Sequence, residues 1–579
     1  MVGEYTHPTI QAMDRQAMHR TFEMAQQHHQ AGRLREAEQL YRQILIDEPQ
    51  CADAIHFLGV IAHHTGKLEQ AAALIRQAIQ LNPTLVEAHC NLGNVLKDQK
   101  KFDDAIAAYR QAIVLRPTHA ESHNNLGNAF KEMGRIDEAL AAYRRAIELK
   151  RGYHKAHNNL GVALAFTGQF DDAIAAYRQA LSLRPDYIEA VCNLGVALHG
   201  IGEYAQAIEA YERVIAIRPD HAEAYSNLGA SLCASGSIDQ AIESYRRALT
   251  LEPDFAEAHH NLALVLLLTG QFAQGWVEYE WRWRWNNPAS PSRLFTRPQW
   301  DGSPLAGRTL LLHGEQGLGD TLQFARYVPL VAQRGGHVLF ECAPELLRLM
   351  RGSRTINSIT VIPHTALDES SLPPFDVHAP LMSLPLILNL PRPADAPKAP
   401  YILVDDHVTA PWKGRLAKNG RLRVGLARAG SSRHSEDHRR SIPARLLAPL
   451  LDCDADFYLV QPGQVTEQSP GEPAPINLTG HIVDFFDTAG LISQLDLVIS
   501  VDTAVAHLAA AMGKPTWVLL AHAPDWRWQL DRDDCDWYAS VKLFRQSVPG
   551  GWDAVVASVA EALRKEIARA SKAADRRYK

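Results

Sequence analysis

A repeat of 34 residues runs through the first half of the chain and limits what this half can fold into. The triplet Asn-Leu-Gly recurs at 91–93, 125–127, 159–161, 193–195 and 227–229, and Asn-Leu-Ala follows at 261–263. Tyrosines recur with the same step from Tyr109 to Tyr279, and most units end in a proline. Small residues let paired helices approach, large residues fill the space between them, and proline ends the second helix. The pattern therefore predicts stacked helix pairs, in which each unit buries its faces against its neighbours.

This period and its Leu-Gly, Tyr, Ala and Pro positions resemble the tetratricopeptide repeat across residues 18–285. The resemblance implies an α-helical superhelix of about seven to eight repeats with a long concave surface. The unit at its end departs from the pattern, with Arg interleaved among Trp276, Trp281, Trp283 and Trp285. We interpret this cluster as an interdomain packing face, because bulky aromatics bury large areas at junctions. Stacking on bases or sugars is the alternative.

One asparagine in each repeat attracts attention, because Asn inside a helix costs roughly 0.5 kcal/mol relative to Ala. The repeats resemble those of the O-linked N-acetylglucosamine transferase, which implies that these amides hydrogen-bond the backbone of an extended acceptor peptide. The alternative is inheritance by repeat duplication, each side chain bonding only the neighbouring turn. The six candidate acceptor-binding residues are Asn91, Asn125, Asn159, Asn193, Asn227 and Asn261.

Composition excludes several classes of protein. A chain of 579 residues with 46% apolar content is too long for one domain and can form real cores. The net charge of −6 gives no basic footprint for nucleic acid. Seven scattered cysteines without a C-x-x-C pair indicate a reducing compartment. The chain has no apolar signal segment and no run of 18 apolar residues, so we expect a cytoplasmic protein without a membrane span.

After residue 308 the pattern changes to strands alternating with helices, which predicts parallel sheets. The strand Leu310–Leu312 runs into a glycine turn, and Asp320-Thr321 is predicted to cap the next helix. We expect two Rossmann-like lobes with a cleft at the carboxyl ends of their strands. The predicted organisation is a tail (1–17), the repeats (18–285), a linker (286–307), an N-lobe (308–400), a hinge (401–420), a C-lobe (421–565) and a basic tail (566–579).

Two segments of this half carry a resemblance to a known family. Gly-Leu-Gly319-Asp320-Thr-Leu, together with Ile-Ser-Val-Asp502-Thr503-Ala-Val-Ala-His507, resembles the heptosyltransferase-like (family 9) glycosyltransferases. The resemblance covers about residues 308–565 and implies the GT-B fold. Combined with the repeats, it is similar to bacterial tetratricopeptide glycosyltransferases, including flagellin-modifying ones.

The resemblance implies a catalytic role for Asp320, which stands where the family has its proposed base. A carboxylate at a cleft-facing turn could remove a proton from an acceptor hydroxyl. An ordinary helix cap is the alternative, and Glu315 is the next candidate base. We expect the N–H groups at the start of the helix after Asp502 to meet a sugar-nucleotide diphosphate. The predicted donor-binding residues are Gly319, Gly430, Ser431, Arg433, Arg440, Asp502, Thr503, Ala504 and His507.

No metal site is expected. Asp531-x-Asp533 matches a metal motif of the other glycosyltransferase fold but reads as a solvated charge run, and His434 to His438 is not H-E-x-x-H. The predicted function is metal-independent sugar transfer, without a cofactor, from a nucleotide sugar to a protein hydroxyl, with a flagellin-like acceptor as one possibility. A scaffold with a non-catalytic GT-B region and a lipopolysaccharide-type sugar transferase remain alternatives.

Overall fold

The computed structural model describes residues 15–285, 293, 295–315, 317–364, 369–430, 437–461 and 474–577. Contacts divide the chain into two compact units, Met1–Gly236 and Ser237–Lys579. The first unit consists of repeat helices, and the second holds the last helices of the repeat region together with both α/β lobes. Each unit is described separately.

The first unit is a series of helix pairs. The first helices of successive repeats, α3 to α13 in odd numbers below, contact one another in one layer, and each second helix packs against its own partner. The helices are α1 (Arg15–Gln30), α2 (Leu34–Asp47), α3 (Ala52–His64), α4 (Leu68–Leu81), α5 (Val86–Asp98), α6 (Phe102–Leu115), α7 (Ala120–Glu132), α8 (Ile136–Leu149), α9 (His154–Phe166), α10 (Phe170–Leu183), α11 (Ile188–Gly200), α12 (Tyr204–Ile217) and α13 (Ala222–Ala234).

The recurring glycine and tyrosine meet within each pair. A Cβ placed on Gly93 would lie 2.4 Å from the ring of Tyr109, and one on Gly161 would lie 2.6 Å from the ring of Tyr177. The glycine thus leaves room for an aromatic ring that is almost fully buried. This contact explains why both residues recur with the same step.

In the second unit, the repeat helices α14 (Ile238–Leu251), α15 (Ala256–Leu268) and α16 (Phe272–Tyr279) are followed by a 3₁₀ helix, Glu280–Trp283. Trp276 is 1% exposed and makes edge-to-face contacts with Phe324 and Trp526, one from each lobe. Its indole N–H donates to the carbonyl of Pro391 at 2.8 Å. The aromatic cluster is therefore a packing face, and this last repeat shares its core with the lobes.

The N-lobe contains a sheet of four parallel strands in the order β3-β2-β1-β4. All of its strands run in one direction, so their carboxyl ends form one edge, where the turn after β1 lies. Its strands are β1 (Thr309–His313), β2 (His337–Cys342), β3 (Thr360–Pro363) and β4 (Val377–Pro380), and its helices are α17 (Leu318–Phe324), α18 (Val328–Ala332), α19 (Pro344–Gly352) and α20 (Leu384–Ile387).

The C-lobe follows a connection that carries α21 (Asp406–Thr409) and contains six parallel strands in the order β10-β9-β8-β5-β6-β7. Buried apolar residues of this sheet form a second core with the C-terminal helix. The strands are β5 (Leu422–Ala427), β6 (Ala455–Leu459), β7 (Ile476–Asn477), β8 (Leu497–Val501), β9 (Thr516–Leu520) and β10 (Val541–Arg545), and the helices are α22 (Asp437–Arg440), α23 (Ala448–Leu451), α24 (Phe485–Ser493), α25 (Ala504–Ala511) and α26 (Trp552–Arg577).

Several elements differ from the sequence predictions. The helix after β1 begins at Leu318, before Asp320, and it ends at Phe324 instead of running on to Arg334. Pro329 lies at the start of α18 and cannot supply the N–H that a continuous helix needs there. Strand β10 was not predicted, so the Asp531 segment connects two strands of the sheet. The described end of the predicted linker is ordered, because Trp300 is buried and its N–H donates to the His378 carbonyl at 2.7 Å.

Candidate functional site

Asp320 lies in the first turn of α17, directly after the glycine turn that follows β1. Gly317 precedes the helix, and its N–H donates to Asp320 Oδ2 at 2.9 Å. Asp320 is therefore the third residue of the helix and not its N-cap, but its side chain does cap the helix by completing a capping box with the Gly317 N–H. The side chain is 18% exposed, so the carboxylate is held by the turn but not sealed off.

Arg527 holds the other oxygen of this carboxylate. It comes from the segment between β9 and β10, and its Nη2 donates to Asp320 Oδ1. Its Nε donates to Gln323 Oε1 at 2.7 Å, and its Nη1 donates to Asp525 Oδ1 at 2.8 Å. One guanidinium thus connects α17 of the N-lobe with a segment of the C-lobe at the candidate base.

Burial and charge act in opposite directions on Asp320. Removal from water raises the pKa of its carboxyl group above 3.8, and the nearby charge of Asp525 raises it further. The Arg527 charge and the Gly317 N–H favour the ionised form and lower the pKa. The net direction is upward, which is the direction that makes a carboxylate a better proton acceptor near neutral pH.

The role of Arg527 and Asp525 was not predicted from the sequence. The sequence favours a packed aromatic pair for Trp526 and Trp528 over a pair that flanks a base, and both indoles are buried, at 5% and 1% exposure. The available signal was the arginine itself, because a charged residue between two buried tryptophans needs a paired partner. The sequence did not indicate that the partner is Asp320.

Helix α25 begins two residues after Asp502. Thr503 is its N-terminal cap residue, in an extended conformation, and Ala504 is its first helical residue. From the sequence we expect Asp502 to cap this helix while Thr503 and Ala504 meet the donor, but the cap residue is Thr503. The Thr503 hydroxyl lies 3.0 Å from the Ser500 hydroxyl and makes no cap bond to the helix. The side chain of Thr503 therefore accepts no hydrogen bond from the first N–H groups of the helix.

Asp502 is a second carboxyl group at this site with an altered pKa. Burial raises its pKa from 3.8 to about 6, and the charge of Asp525 adds to the effect, while Arg527 and Arg440 oppose it. Asp502 therefore lies within electrostatic reach of both arginines. A carboxyl group that is protonated near pH 6 repels a phosphate less than an ordinary aspartate would.

Gly319 and His507 form the contact between α17 and α25. A Cβ on Gly319 would lie 2.9 Å from His507 Cδ2, so the glycine allows the two helices to approach. The His507 ring stacks on Trp528 at 5.3 Å, and its Nδ1 lies 3.1 Å from the Tyr538 hydroxyl. Burial and the nearby arginines Arg527 and Arg326 lower its pKa well below 6.5. These contacts describe a neutral core histidine behind the site, and they give no support to its predicted donor-binding role.

Arg440 lies against Gly430 at the carboxyl end of β5. A Cβ on Gly430 would lie 2.5 Å from Arg440 Nη2, so only glycine allows this close approach. Arg440 Nε donates to Asp437 Oδ1 at 3.1 Å, and the side chain remains 23% exposed. The predicted donor-binding residues Ser431 and Arg433, and the rejected His434, lie outside the described residues.

The repeated asparagines are half-buried, and the amide nitrogens of four of them contact the preceding repeat. Asn125 Nδ2 donates to Asn94 Oδ1 at 3.0 Å and to Cys90 Sγ at 3.7 Å. Asn159 Nδ2 donates at 3.0 Å to Asn124 Oδ1 and at 3.1 Å to Asn128 Oδ1. In two other repeats, Asn193 Nδ2 donates to Asn158 Oδ1 at 3.0 Å, and Asn91 Nδ2 lies 3.0 Å from His56 Nε2. These partners belong to the preceding repeat rather than to a neighbouring turn, so the amides help to join repeats.

Glu315, the alternative base, is already engaged. Arg282 of the last repeat donates from Nε to Glu315 Oε2 at 2.7 Å, and the Met382 N–H donates to Glu315 Oε1 at 3.1 Å. The side chains of Arg282 and Glu315 are only 7% and 6% exposed. Glu315 therefore fixes the last repeat to the N-lobe, and at 6% its side chain is less exposed than that of Asp320, at 18%.

The described part of the chain offers neither a metal site nor a membrane-spanning helix. No group of three or more His, Cys, Asp or Glu side chains has a geometry that could hold a metal ion. No described helix combines the length and the apolar content that crossing a membrane requires.

Fold and site together define a class of protein: an α-helical repeat solenoid followed by an α/β region of two Rossmann-like lobes, the GT-B arrangement. Comparison with known families agrees. Tetratricopeptide repeat models match residues 22–85, 74–107, 93–134, 124–188, 158–222 and 229–270. The model of glycosyltransferase family 9 (heptosyltransferase) matches residues 466–530, which include Asp502 and Arg527 but not Asp320. The chain carries tetratricopeptide repeats and a glycosyltransferase family 9 region.

The individual proteins that are similar to this chain share less than 30% of its residues over the aligned part. Protein FlbA of Caulobacter vibrioides is 27% identical over 319 residues, an alignment that covers 51% of this chain and 53% of FlbA. The chain thus spans about half the length of this curated relative. Among solved structures, YrrB, described as a TPR protein with an unusual peptide-binding site, is 24% identical over 32% of this chain and 96% of its own, with a TM-score of 0.29. The Cut9–Hcn1 hetero-tetramer is 19% identical over 42% of this chain and 48% of its own, with a TM-score of 0.38.

Proposed function

We propose that the protein is a glycosyltransferase that moves a sugar from a nucleotide-sugar donor to a hydroxyl group of a protein acceptor, with Asp320 as general base. The observation that carries the proposal is the position of Asp320. Gly317 and Arg527 orient the Asp320 carboxylate, and burial raises its pKa. Helix α17, which carries Asp320, packs on α25, the helix capped by Thr503. The match to glycosyltransferase family 9 supports the same reaction class.

The donor diphosphate is assigned to the C-lobe. The first N–H groups of α25 point toward the end at which the helix dipole is positive, and this favours an anion. Arg440 is partly exposed and charged, and it lies within electrostatic reach of Asp502, the residue before Thr503. A guanidinium can bond two phosphate oxygens at once. Ser431 and Arg433, which precede Arg440 in the sequence, stay predictions for this role.

The proposed reaction forms a bond between the acceptor oxygen and the anomeric carbon of the sugar. The bond between that carbon and the phosphate oxygen breaks, and the electron pair leaves with the nucleotide. Asp320 takes the proton from the acceptor hydroxyl, and the helix N-terminus and Arg440 stabilise the charge on the departing phosphate. No metal enters this scheme, and we expect activity to survive a chelator.

The acceptor is assigned to the repeats. The six repeated asparagines, Asn91 to Asn261, form what we call the asparagine layer. It offers half-buried polar groups at a constant step along the sequence, which suits the regular backbone of an extended peptide. The Nδ2 atoms of Asn125 and Asn159 each donate two hydrogen bonds inside the solenoid. A peptide would therefore meet these side chains mainly through their amide oxygens, which accept hydrogen bonds. We therefore expect peptide N–H groups, rather than carbonyl groups, to be their partners.

The test begins with a thermal-shift screen of the full chain against UDP-, GDP-, ADP- and CMP-sugars. A ligand at 100 times its Kd stabilises the fold by about 2.7 kcal/mol. With the donor identified, Asp320→Asn is compared with wild type for nucleotide release in the presence of a protein acceptor. We expect kcat to fall by about 10²- to 10⁴-fold with donor affinity unchanged, because an amide cannot accept the proton.

The exposed Asp533→Asn provides the matched control and should keep full turnover. Turnover of Asp320→Asn within a few-fold of wild type would remove Asp320 as the base. Absence of any nucleotide-sugar binding would favour the scaffold alternative. Modification of a saccharide and of no protein would favour the lipopolysaccharide-type transferase.

A further inference from the structure

Arg527 is engaged on every side within this site. Each of its three guanidinium nitrogens has an acceptor: Gln323 Oε1, Asp525 Oδ1 and Asp320 Oδ1. Its Cζ lies 4.3 Å from the ring centroid of Trp526, and the side chain is 8% exposed. Two of the acceptors, Asp320 and Gln323, belong to α17. The third, Asp525, lies in the same segment as Arg527.

This arrangement separates Arg527 from the other arginine of the site. Arg440 has one carboxylate partner and a side chain that is 23% exposed, which suits a group that meets a ligand. Arg527 would have to give up bonds to Asp320, Gln323 or Asp525 before it could hold a phosphate through the same nitrogens. Its geometry is that of a support for the carboxylate.

We propose that Arg527 is the positioning residue of the catalytic base: it fixes the orientation of the Asp320 carboxylate, keeps it ionised in a buried setting, and does not bind the donor. This inference rests on the proposed role of Asp320. It assigns to the segment between β9 and β10 a function in proton transfer, and it makes base strength depend on a residue contributed by the opposite lobe.

The charge balance at Asp320 supports this role. Burial and the Asp525 charge favour the neutral acid, and Arg527 is the cation that opposes them. The His507 ring behind Gly319 is neutral, because burial holds its pKa well below 6.5. Several other titratable or charged groups lie on the elements packed around Asp320. Beside β9 these are Asp525 and Arg527, and at α25 they are His507 and, just before the helix, Asp502. The last repeat adds Tyr279 and the Arg282–Glu315 pair.

Loss of the arginine therefore has a defined sign. The pKa of Asp320 is already raised by burial, and removal of the opposing cation moves it further up. A general base works only when deprotonated, so the acidic limb of kcat/KM lies at the pKa of Asp320 in the free enzyme. The limb should move to higher pH in a variant that lacks the charge and should return toward wild type in one that restores it.

The experiment measures kcat/KM from pH 5 to 9 for the full-length Arg527→Gln and Arg527→Lys variants, with donor affinity by calorimetry. We expect Arg527→Gln to move the acidic limb up by about one pH unit and to lower kcat about 10- to 100-fold, with donor Kd within threefold of wild type. Arg527→Lys keeps the charge but loses the planar fork that reaches the three acceptors in fixed directions, so its limb should stay near wild type while kcat remains reduced. This variant also serves if Arg527→Gln does not fold.

Arg532 provides a matched control in the same segment. Its Nε donates to Asp534 at 2.7 Å and its Nη2 to Asp536 at 2.7 Å, but none of its contacts reaches Asp320. Arg532→Gln should leave limb, kcat and donor affinity unchanged. A tenfold loss of donor affinity in Arg527→Gln with an unmoved limb would make Arg527 a donor ligand instead. A fall in kcat with an unmoved limb in a folded Arg527→Gln variant would reduce the role of Arg527 to packing.

The Asp320→Asn variant separates this inference from the function on which it rests. If Asp320 is the base, Asp320→Asn loses the limb together with the rate, and adding Arg527→Gln to it causes little further loss. If Asp320→Asn retains both rate and limb, the proposed function fails whatever Arg527 does. If only the Arg527 variants behave like wild type, Asp320 remains the base and the positioning role is overturned.

Discussion

Asp502 illustrates how a single residue at this site couples stability to pH. Its carboxyl group is buried beside Asp525, and its pKa rises from 3.8 to about 6. A raised pKa in the folded state means that folding favours the protonated form. The stabilisation is complete below about pH 3.8, where the carboxyl group is protonated in both states, and it is lost as pH rises through about 6.

We therefore predict that Asp502→Asn stabilises the fold at neutral pH. The amide resembles the protonated acid and carries no charge to bury, so the gain should grow from pH 4 to pH 6 and then level off. The difference between about 6 and 3.8, at 1.36 kcal/mol per pH unit, sets a ceiling of about 3 kcal/mol. Denaturant unfolding across this pH range measures it.

The exposed Asp533→Asn is the control and should give a pH-independent difference near zero. A gain for Asp502→Asn that is the same at pH 4 and pH 7 would contradict the electrostatic account.

Individual residues of the site differed in how far the sequence could predict them. Asp320 was predictable because a glycine turn after a buried strand marks a ligand-facing position, and the family resemblance added a role. Its partner Arg527 was not, because the two are 207 residues apart and meet only through the path of the segment between β9 and β10. From the sequence, His507 could equally be a donor-binding residue or a buried core residue. Its packing on Trp528 and Gly319 favours the core residue.

At the scale of elements, the helix pairs depend on the contact between a glycine and an aromatic ring 16 positions later. A Cβ on Gly161 would lie 2.6 Å from the Tyr177 ring, and the same distance holds for Gly127 and Tyr143. A ring that is almost fully buried cannot move aside without disturbing its neighbours.

We expect Gly161→Ala to destabilise the protein relative to Gly152→Ala, by about 1–3 kcal/mol in the free energy of unfolding. A Cβ on Gly152 would have nothing within 4 Å, so it isolates the general effect of replacing glycine. Thermal unfolding followed by circular dichroism compares the two. Equal melting temperatures would mean that the ring adapts and that the recurring glycine serves another purpose.

Element type was more predictable than element boundaries. The sequence predicts strands at His337–Cys342, Leu422–Ala427 and Thr516–Leu520, and β2, β5 and β9 have these bounds, because short apolar runs between turn signals leave few alternatives. The helix after β1 was misplaced because its start depends on Gly317 and Asp320 bonding to each other, which residue preferences do not encode. Strand β10 was missed because its charged residues, Lys542 and Arg545, mask an edge strand.

For the whole molecule, the last repeat belongs with the lobes. Phe272, Trp276 and Tyr279 are buried in the same core as residues of both sheets, and Arg282 is paired with Glu315. The boundary between compact units lies at residue 236, whereas the change from repeats to strands lies near residue 308. The sequence indicated only the second of these, since periodicity reports on repeats and not on what they pack against.

We predict that a fragment from Ser237 to Lys579 folds and binds the donor, whereas a fragment from Arg308 does not. The shorter one lacks the aromatic side chains that fill the core, and large aromatic deletions cost about 3–5 kcal/mol each. Differential scanning fluorimetry with and without the nucleotide sugar distinguishes them. Trp276→Ala in the longer fragment should reproduce much of the loss, while Val277→Ala, at an exposed position, should not. A cooperative, donor-shifted transition in the shorter fragment would contradict the shared core.

The shared core also bears on how such a chain could change during evolution. Recombination that exchanged all repeats at the visible change of sequence pattern would separate Trp276 and Arg282 from the lobes they complete. Exchange at residue 236 would leave those partners together and still replace most of the asparagine layer. New acceptor preferences should therefore arise by duplication, loss or replacement of repeats upstream of α14, while the final repeat diverges together with the catalytic lobes.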